Sequence, residues 1–222
     1  KHDLFRFMSY QIHQLDKLGV DVRLNTEATP ESVAAMKPDA VISAVGADAF
    51  ILPVPGVDGS NVLTAEEAYD SIRRQRQMCI RDRGENLVVL GGGLVGCETG
   101  LFLATEAGKK VTILEMLPEV ATDEMHLTRD ALLDRLNEHT TVITKARCTG
   151  ITANGVTYVD GDGNEQTVAC DHVILSAGMR PRQDLAESFR NTAPFFVVIG
   201  DASKPSNVRN ATRTGYDAAL RL

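Results

Sequence analysis

A glycine-rich turn between two strand-like runs is the feature that most constrains how this chain folds. Residues 87–115 read LVVLGGGLVGCETGLFLATEAGKKVTILE, so a G-x-G-x-x-G pattern follows an apolar run and opens a helical one. In such a βαβ unit the glycines permit a tight turn, close approach of a pyrophosphate and close packing of helix on strand. The N–H groups at the start of the helix then face the phosphates. The residues predicted to contact a dinucleotide here are Gly91, Gly92, Gly93, Leu94, Val95 and Gly96.

An acidic residue closes the second strand of this unit. Glu115 lies about twenty residues past the glycines, where a carboxylate accepts hydrogen bonds from the adenosine ribose hydroxyls. The same charge repels a 2′-phosphate, and Met116 and the two residues after it include no arginine to receive one. The pattern therefore favours NADH over NADPH, with Met116 beside the ribose. A strand–helix unit that binds nothing is the alternative, and the complete fingerprint argues against it.

Charge and cysteine usage exclude several other classes of protein. The formal net charge of −7 argues against a nucleic-acid or anionic-membrane binder, because those proteins present basic surfaces. The sequence contains no apolar run of the roughly eighteen residues that a membrane span needs. Cys79, Cys97, Cys148 and Cys170 form no C-x-x-C pair, and the histidines show no ligand spacing. We therefore expect a cytoplasmic protein with reduced thiols, no metal site and no redox dithiol.

Strand-like and helix-like patterns alternate along the chain, which predicts an α/β fold. In the first part we expect an amphipathic helix at 3–18 that Gly19 ends, a short strand at 20–24 and a strand at 40–45 buried on both faces. The segment 77–83 fits neither pattern and is either translated adapter sequence or an exposed basic linker. The later elements are strands at 87–90, 111–115, 142–144, 172–177 and 195–199 (the last also buried), helices at 94–107, 127–138 and 207–222, and a meander with turns at 154–155 and 162–163.

A family resemblance rests on four separated motifs, namely VISAVGA (41–47), GGGLVGCE (91–98), VILSAGMRP (173–181) and VVIGDA (197–202). The chain resembles the NADH:flavin oxidoreductases related to 2,4-dienoyl-CoA reductase, trimethylamine dehydrogenase and the clostridial enoate and bile-acid-inducible reductases. That resemblance implies two interleaved Rossmann-like dinucleotide-binding domains, like those of pyridine-nucleotide-disulfide oxidoreductases, with the first incomplete. The implied division is a partial FAD-binding domain and connector at 1–82, an NAD(H)-binding domain at 83–180 and a return to the FAD-binding domain at 181–222.

The resemblance also implies roles for residues outside the glycine turn. Asp201 matches the aspartate that contacts the FAD ribityl chain, and the helix around Ala211 matches the one that points at the flavin pyrimidine. Glu98 sits where related reductases hold the nicotinamide end. The remaining implied cofactor-binding positions are the glycines that end the crossover strands and precede the aspartate, namely Gly46, Gly178 and Gly200.

The full-length relatives carry parts that this sequence does not show. Nothing before Val41 resembles the glycine-rich unit of an FAD-binding domain, and neither an FMN-binding barrel nor the cysteine cluster of a [4Fe–4S] centre is present. We therefore expect the electron-entry part of a larger enzyme, whose absent barrel and FAD-domain segments would be its partners. The residues that act on substrate would lie in that barrel, so no catalytic residue is assigned here. FAD retention by this chain alone and a homo-oligomer are left open.

Three functional hypotheses follow. In the first, the chain passes hydride from NADH to FAD and, in the full-length parent, onward to a C=C bond of an enoyl-CoA or enone. In the second, it is a structural module that holds ADP or NAD without turnover, as the resemblance to trimethylamine dehydrogenase permits. The third, a disulfide reductase, requires a closely spaced cysteine pair that the sequence lacks.

Overall fold

The computed structural model describes residues 2–74 and 84–222. The segment 77–83 and Cys79 lie outside the described residues. The helices are α1 (His2–Lys17), α2 (Pro30–Ala35), α3 (Ala65–Arg74), α4 (Leu94–Thr105), α5 (His126–His139), α6 (Gln183–Ser188) and α7 (Val208–Ala219), with 3-10 turns at Arg190–Thr192 and Gly200–Ala202. The strands are β1 (Ala40–Ser43), β2 (Ala47–Ala49), β3 (Val62–Thr64), β4 (Asn86–Leu90), β5 (Lys110–Leu114), β6 (Thr141–Ile143), β7 (Arg147–Thr152), β8 (Gly155–Val159), β9 (Glu165–Ala169), β10 (His172–Leu175), β11 (Met179–Pro181) and β12 (Phe195–Val198).

A parallel sheet in the order β3-β10-β4-β5-β6 forms the centre of the structure. From β4 the chain winds outward through α4, β5, α5 and β6, and then returns to place β10 on the other side of β4. The direction of winding therefore reverses between β4 and β10. Open α/β sheets bind their ligands at such a switch point, beyond the carboxyl ends of the strands. The predicted α/β fold with Rossmann-like units is confirmed.

Both faces of this sheet are buried. Successive residues of β4 point to opposite faces, so they join two different cores. Leu87 and Val89 join the core under α4 and α5, where Leu136 is fully buried. Val88 and Leu90 join a second core on the opposite face. That second core is covered by the antiparallel meander β7-β8-β9, as the predicted turns require.

A smaller unit pairs segments that are distant in the chain. β1 and β12 form a parallel two-stranded sheet, and β2 and β11 form an antiparallel one. Arg182 ties the crossover together, since its Nε donates to Asp48 Oδ1 at 2.7 Å and its backbone N donates to the Gly46 carbonyl at 3.1 Å. This ion pair lowers the pKa of Asp48 through the hydrogen bond from Arg182.

Several local expectations are wrong. Residues 20–24 form no strand; Val20, Val22 and Leu24 are exposed, and no described strand lies beside them to pair with. β1 and β12 are half-buried rather than buried on both faces, because each pairs only with the other in the described structure. Helix α1 does form, and the chain turns away after it at Gly19, which has φ of 68°. The apolar side chains of α1 are exposed, however. The division of the chain at residues 82 and 180 stays a prediction.

The sequence analysis also missed short elements. β2, β3 and β11 have three residues each, and α6 has six. Segments this short carry no readable periodicity, so their pairing depends on contacts with distant parts of the chain. Within residues 2–74 and 84–222, no helix is long and apolar enough to cross a membrane.

Leu136 of α5 is expected to be a main stabilising contact of the sheet. Its side chain is fully buried, so Leu136→Ala should lower the free energy of unfolding by about 2–5 kcal/mol. Leu220→Ala is the matched control, because Leu220 is 68% exposed and its truncation should change the value by less than about 0.5 kcal/mol. Urea denaturation followed by circular dichroism measures both, and equal effects would contradict the assignment of the core.

Candidate dinucleotide site

A cavity of about 750 Å³ lies beyond the carboxyl ends of β4, β5 and β10. Its walls combine the glycine turn, the end of β5 and the loop that follows it, and the segment after β10. Phe50, Leu52 and Tyr69 add an apolar side. The cavity is within the range of about 300–1,000 Å³ that is usual for small-molecule and cofactor sites. It stands at the topological switch point described above.

The three fingerprint glycines of the turn occupy different environments. Gly91 has φ of 111°, and a Cβ there would overlap the carbonyl oxygen of Ser176. A Cβ at Gly96 would overlap the carbonyl oxygen of Gly91, so the first turn of α4 packs directly on the end of β4. A Cβ at Gly93 would meet nothing within 4 Å. Gly91 and Gly96 are thus required by the fold, whereas Gly93 faces open space.

The start of α4 presents backbone N–H groups to that open space. Gly93 is the N-cap residue, and it has no side chain with which to satisfy them. The N–H of Leu94 does have a partner, because it donates to Asp123 Oδ1 at 3.3 Å. Helix N-termini attract anions through these N–H groups and the helix dipole. The geometry fits a pyrophosphate at Gly93.

The carboxylate of Glu115 is buried and already bonded to the backbone on both sides. Glu115 is 8% exposed. Its Oε2 accepts from the N–H of Gly92 at 2.6 Å, and its Oε1 accepts from the N–H of Leu117 at 2.7 Å. It therefore joins the glycine turn to the loop after β5. An ionised carboxylate offers about four lone-pair sites, so acceptor capacity is left for ribose hydroxyls.

The structure brings some of the predicted site residues together and leaves others apart. Besides Glu115, Met116 and Gly178 line the cavity with Gly91, Gly92, Gly93, Leu94 and Val95. Gly96 lies beneath the turn rather than in the wall. Glu98 is exposed on α4, one helical turn after the lining residues Leu94 and Val95, and is not among the lining residues.

The residues predicted to contact FAD lie away from this cavity. Gly46 follows β1 at the crossover and has φ of 79°. The N–H of Gly200 donates to Thr214 Oγ1 at 3.0 Å, and Asp201 Oδ1 accepts from the N–H of Ser206 at 3.1 Å. Ala211 is in the first turn of α7, whose start is capped by the Asn207 side chain. These residues share the β1–β12 unit, and their roles stay predictions.

Sequence reasoning missed much of the cavity wall. Asp123 and Glu119 come from the loop between β5 and α5, and Arg147 and Cys148 come from the start of β7. Two of these four are acids in a charged stretch with no periodicity. For Glu119 and Asp123, the signal in the sequence is their position directly after β5, because loops at the carboxyl ends of the strands of an α/β sheet approach the ligand.

Comparison with known proteins assigns the chain to a family. Residues 10–194, most of the chain, match the family described as pyridine nucleotide-disulphide oxidoreductase. The chain belongs to this family. The matched residues include the whole five-stranded unit with the glycine turn, together with β1, and end just before β12.

Reductases and oxidases are prominent among the relatives of this chain. It is 32% identical to an NADH oxidase of Thermoanaerobacter brockii over 94% of its own length and 32% of that protein. It is 31% identical to a bilirubin reductase of Mediterraneibacter gnavus over 99% of its length and 33% of that protein. The chain therefore spans about a third of the length of the curated relatives that it matches.

Solved structures give the same result. A 2-naphthoyl-CoA reductase superposes with a TM-score of 0.86 at 26% identity, over 100% of this chain and 32% of that one. A histamine dehydrogenase from Rhizobium superposes with a TM-score of 0.76 at 20% identity, over 89% of this chain and 33% of that one, which supports the fold. The predicted resemblance to the NADH- and FAD-binding part of enoate-reductase-like proteins is confirmed. The family is one of oxidoreductases that use a pyridine nucleotide, and an NADH oxidase is among the relatives.

The cysteines of the described residues do not form a redox pair. Cys97, Cys148 and Cys170 are free thiols. The Cys97 thiol donates to the Gly92 carbonyl at 3.3 Å beneath the turn. Burial, together with the charge of Glu115, raises its pKa to about 11. Burial also raises the pKa of Cys170 to about 11. Both thiols stay protonated at neutral pH, where a nucleophilic or redox-active cysteine needs the thiolate.

Cys97 is expected to resist alkylation in the native protein. At pH 8 a thiol with a pKa near 11 is thiolate in only about one molecule in a thousand, against roughly a quarter for an unperturbed cysteine. Iodoacetamide at pH 8, read by mass spectrometry, should label Cys97 only after unfolding, with the urea-unfolded protein as control. Because the folded pKa lies above the unfolded one, the unfolding free energy should also fall between pH 9 and 11. Rapid native labelling would contradict this assignment.

Proposed function

We propose that this chain binds NADH across the glycine turn and directs its nicotinamide toward the FAD site, where a bound FAD would accept the hydride. One observation carries the proposal: Gly93 leaves open space at a helix start that its own side chain cannot cap, beside the buried carboxylate of Glu115. Pyrophosphate and ribose are the two groups that such a pair of features recognises. The family match and the NADH oxidase among the relatives support the same substrate.

The residues of this chain bind and orient rather than react. Backbone N–H groups at Gly93 and Leu94 would hold the phosphates, and Glu115 would accept from the ribose hydroxyls. FAD supplies the redox chemistry when it is bound, so the protein needs only to place the two rings and exclude water. For FAD we propose Gly46, Gly200 and Asp201 with the start of α7 around Ala211, and Gly178 at the crossover between the two sites.

The substrate of the longer protein is a second step of the proposal. We propose reduction of a C=C bond in an enoyl-CoA or enone-type substrate, with FMN and a [4Fe–4S] centre bound outside this chain. The support is the names of relatives: a cinnamate reductase of Clostridium sporogenes at 29% identity, the bilirubin reductase, and the 2-naphthoyl-CoA reductase structure. Chain segments that complete the FAD-binding domain would be the partners.

A nucleotide-binding module without turnover is the second candidate function. It is favoured by the position of Glu98, which was expected at the nicotinamide end but is exposed outside the cavity wall. The two candidates differ in an anaerobic titration of the flavin-loaded protein with NADH. Bleaching of the flavin absorbance supports the oxidoreductase, and tight ADP binding without bleaching supports the module.

Gly93→Ala is expected to weaken NADH binding by at least about tenfold. The new methyl group would stand in the space for the pyrophosphate, and each lost hydrogen bond to a charged group costs about 1.5–3 kcal/mol. Isothermal titration calorimetry with NADH measures the effect. Gly150→Ala is the matched control, because a Cβ there would come no closer than 4.0 Å to any atom, and Gly150 lies outside the cavity wall. An unaltered NADH affinity in Gly93→Ala would contradict the proposed site.

Glu115→Gln is expected to weaken NADH binding and to reduce the preference for NADH over NADPH by about tenfold. The substitution removes the charge that repels a 2′-phosphate, and one backbone N–H loses its acceptor, because an amide has only one oxygen. The ratio of the two dissociation constants is the readout, since a general loss of stability changes both alike. Glu106→Gln, an exposed position at the end of α4, controls for net charge. An unchanged ratio would refute the role of Glu115.

A further inference from the structure

An acidic side chain of the chain itself occupies the helix start that the proposed dinucleotide needs. Asp123 Oδ1 accepts the hydrogen bond from the Leu94 N–H at 3.3 Å, and Asp123 lines the cavity. A carboxylate there uses the same N–H group and the same dipole that would hold a phosphate. The inference that follows rests on the proposed function, because it concerns the same site.

The loop that carries Asp123 is held to the turn at a point two residues earlier. The N–H of Ala121 donates to the Gly92 carbonyl at 2.7 Å, and Val120 is buried in the core. Arg129 donates to the Val120 carbonyl through Nε at 3.0 Å and Nη2 at 2.9 Å. The anchor at 120–121 is therefore firm, whereas Asp123 is exposed beyond it. Its carboxylate can leave the helix start without disturbing the anchor.

The wall of the cavity carries more negative than positive charge, so the Asp123 carboxylate repels a phosphate ligand. Four carboxylates and one guanidinium stand in the wall, namely Glu66, Glu115, Glu119, Asp123 and Arg147. Glu119 is neutralised by Arg129, whose Nη2 lies 2.7 Å from Glu119 Oε2. Glu115 is held by two backbone N–H groups. Asp123 is the acid that meets the helix start itself, so a doubly charged pyrophosphate would have to displace it or bind beside it.

We propose that Asp123 is a resident anion that competes with the pyrophosphate for the start of α4 and thereby sets the affinity for dinucleotides. Its displacement accompanies binding. Because the competition weakens NADH and NAD⁺ alike, it favours exchange of the spent nucleotide for a fresh one. Ligands without a phosphate do not enter the competition. This gives Asp123 a role in tuning affinity that is separate from the ribose contact of Glu115.

The test compares ADP and adenosine binding in variants of Asp123. Asp123→Asn keeps an oxygen of similar geometry and removes the charge, and Asp123→Ala removes both. Calorimetry should show the ADP dissociation constant falling about three- to tenfold in both variants, from removal of a like charge at a helix terminus. The adenosine constant should not change. Asp130→Asn is the matched control, since Asp130 is an exposed acid on α5 outside the cavity wall, and it should leave both constants as they are.

The outcomes separate this inference from the proposed function. If the unsubstituted protein binds neither ADP nor NADH, the proposed function itself fails. If it binds ADP and the Asp123 variants bind it equally or less tightly, only the competition is overturned. A gain for adenosine equal to that for ADP also overturns it, because the effect would then come from the shape of the loop.

Discussion

The contact between the backbones of Gly91 and Gly96 sets the position of nearly everything else at the site. α4 begins so close to the end of β4 that a single Cβ at Gly96 would overlap the Gly91 carbonyl oxygen. The axis of α4 therefore points its N–H groups over the carboxyl edge of the sheet, where β10 and β5 flank β4. Without that close approach, the helix start would not border the cavity. Gly93 takes no part in this contact, and the space beside it is open to a ligand.

Glu115 links this turn to the rest of the cavity. A buried carboxylate must be paired or hydrogen-bonded, because burial of a bare charge is costly. Here the partners are the N–H groups of Gly92 and Leu117, so the charge is satisfied by the two backbone segments that it holds together. The residue that would recognise the ribose is thus also part of the scaffold. A truncation of Glu115 would therefore change both stability and binding. The ratio of the NADH and NADPH dissociation constants is the informative measurement, because a general loss of stability changes both constants alike.

The sequence predicted the features that local patterns encode, and little beyond them. The strand, glycine turn, helix and acidic strand end follow one another within one short stretch, and the structure places each of those elements where periodicity and turn chemistry indicated. Residues 20–24 alternate like a strand, yet no described neighbour pairs with them. β2 and β11 show no pattern of their own and exist through a pairing across more than a hundred residues, reinforced by Arg182 and Asp48. Pairing of that kind is a property of the whole chain, so no short window reveals it.

Asp123 illustrates the same limit at the site. Nothing in the run after β5 marks one of its acids as special, because each is a common surface residue and the segment lacks a period. The structure distinguishes them by their partners. Glu119 pairs with Arg129, and Asp123 accepts from the N–H at the start of α4. Glu124 accepts from the Met125 N–H and the Thr128 hydroxyl. The helix dipole that attracts a pyrophosphate attracts any nearby anion. A chain with an acidic loop beside such a terminus therefore has its own competitor for the site, and the affinity for the nucleotide is a difference between two interactions with the same N–H group.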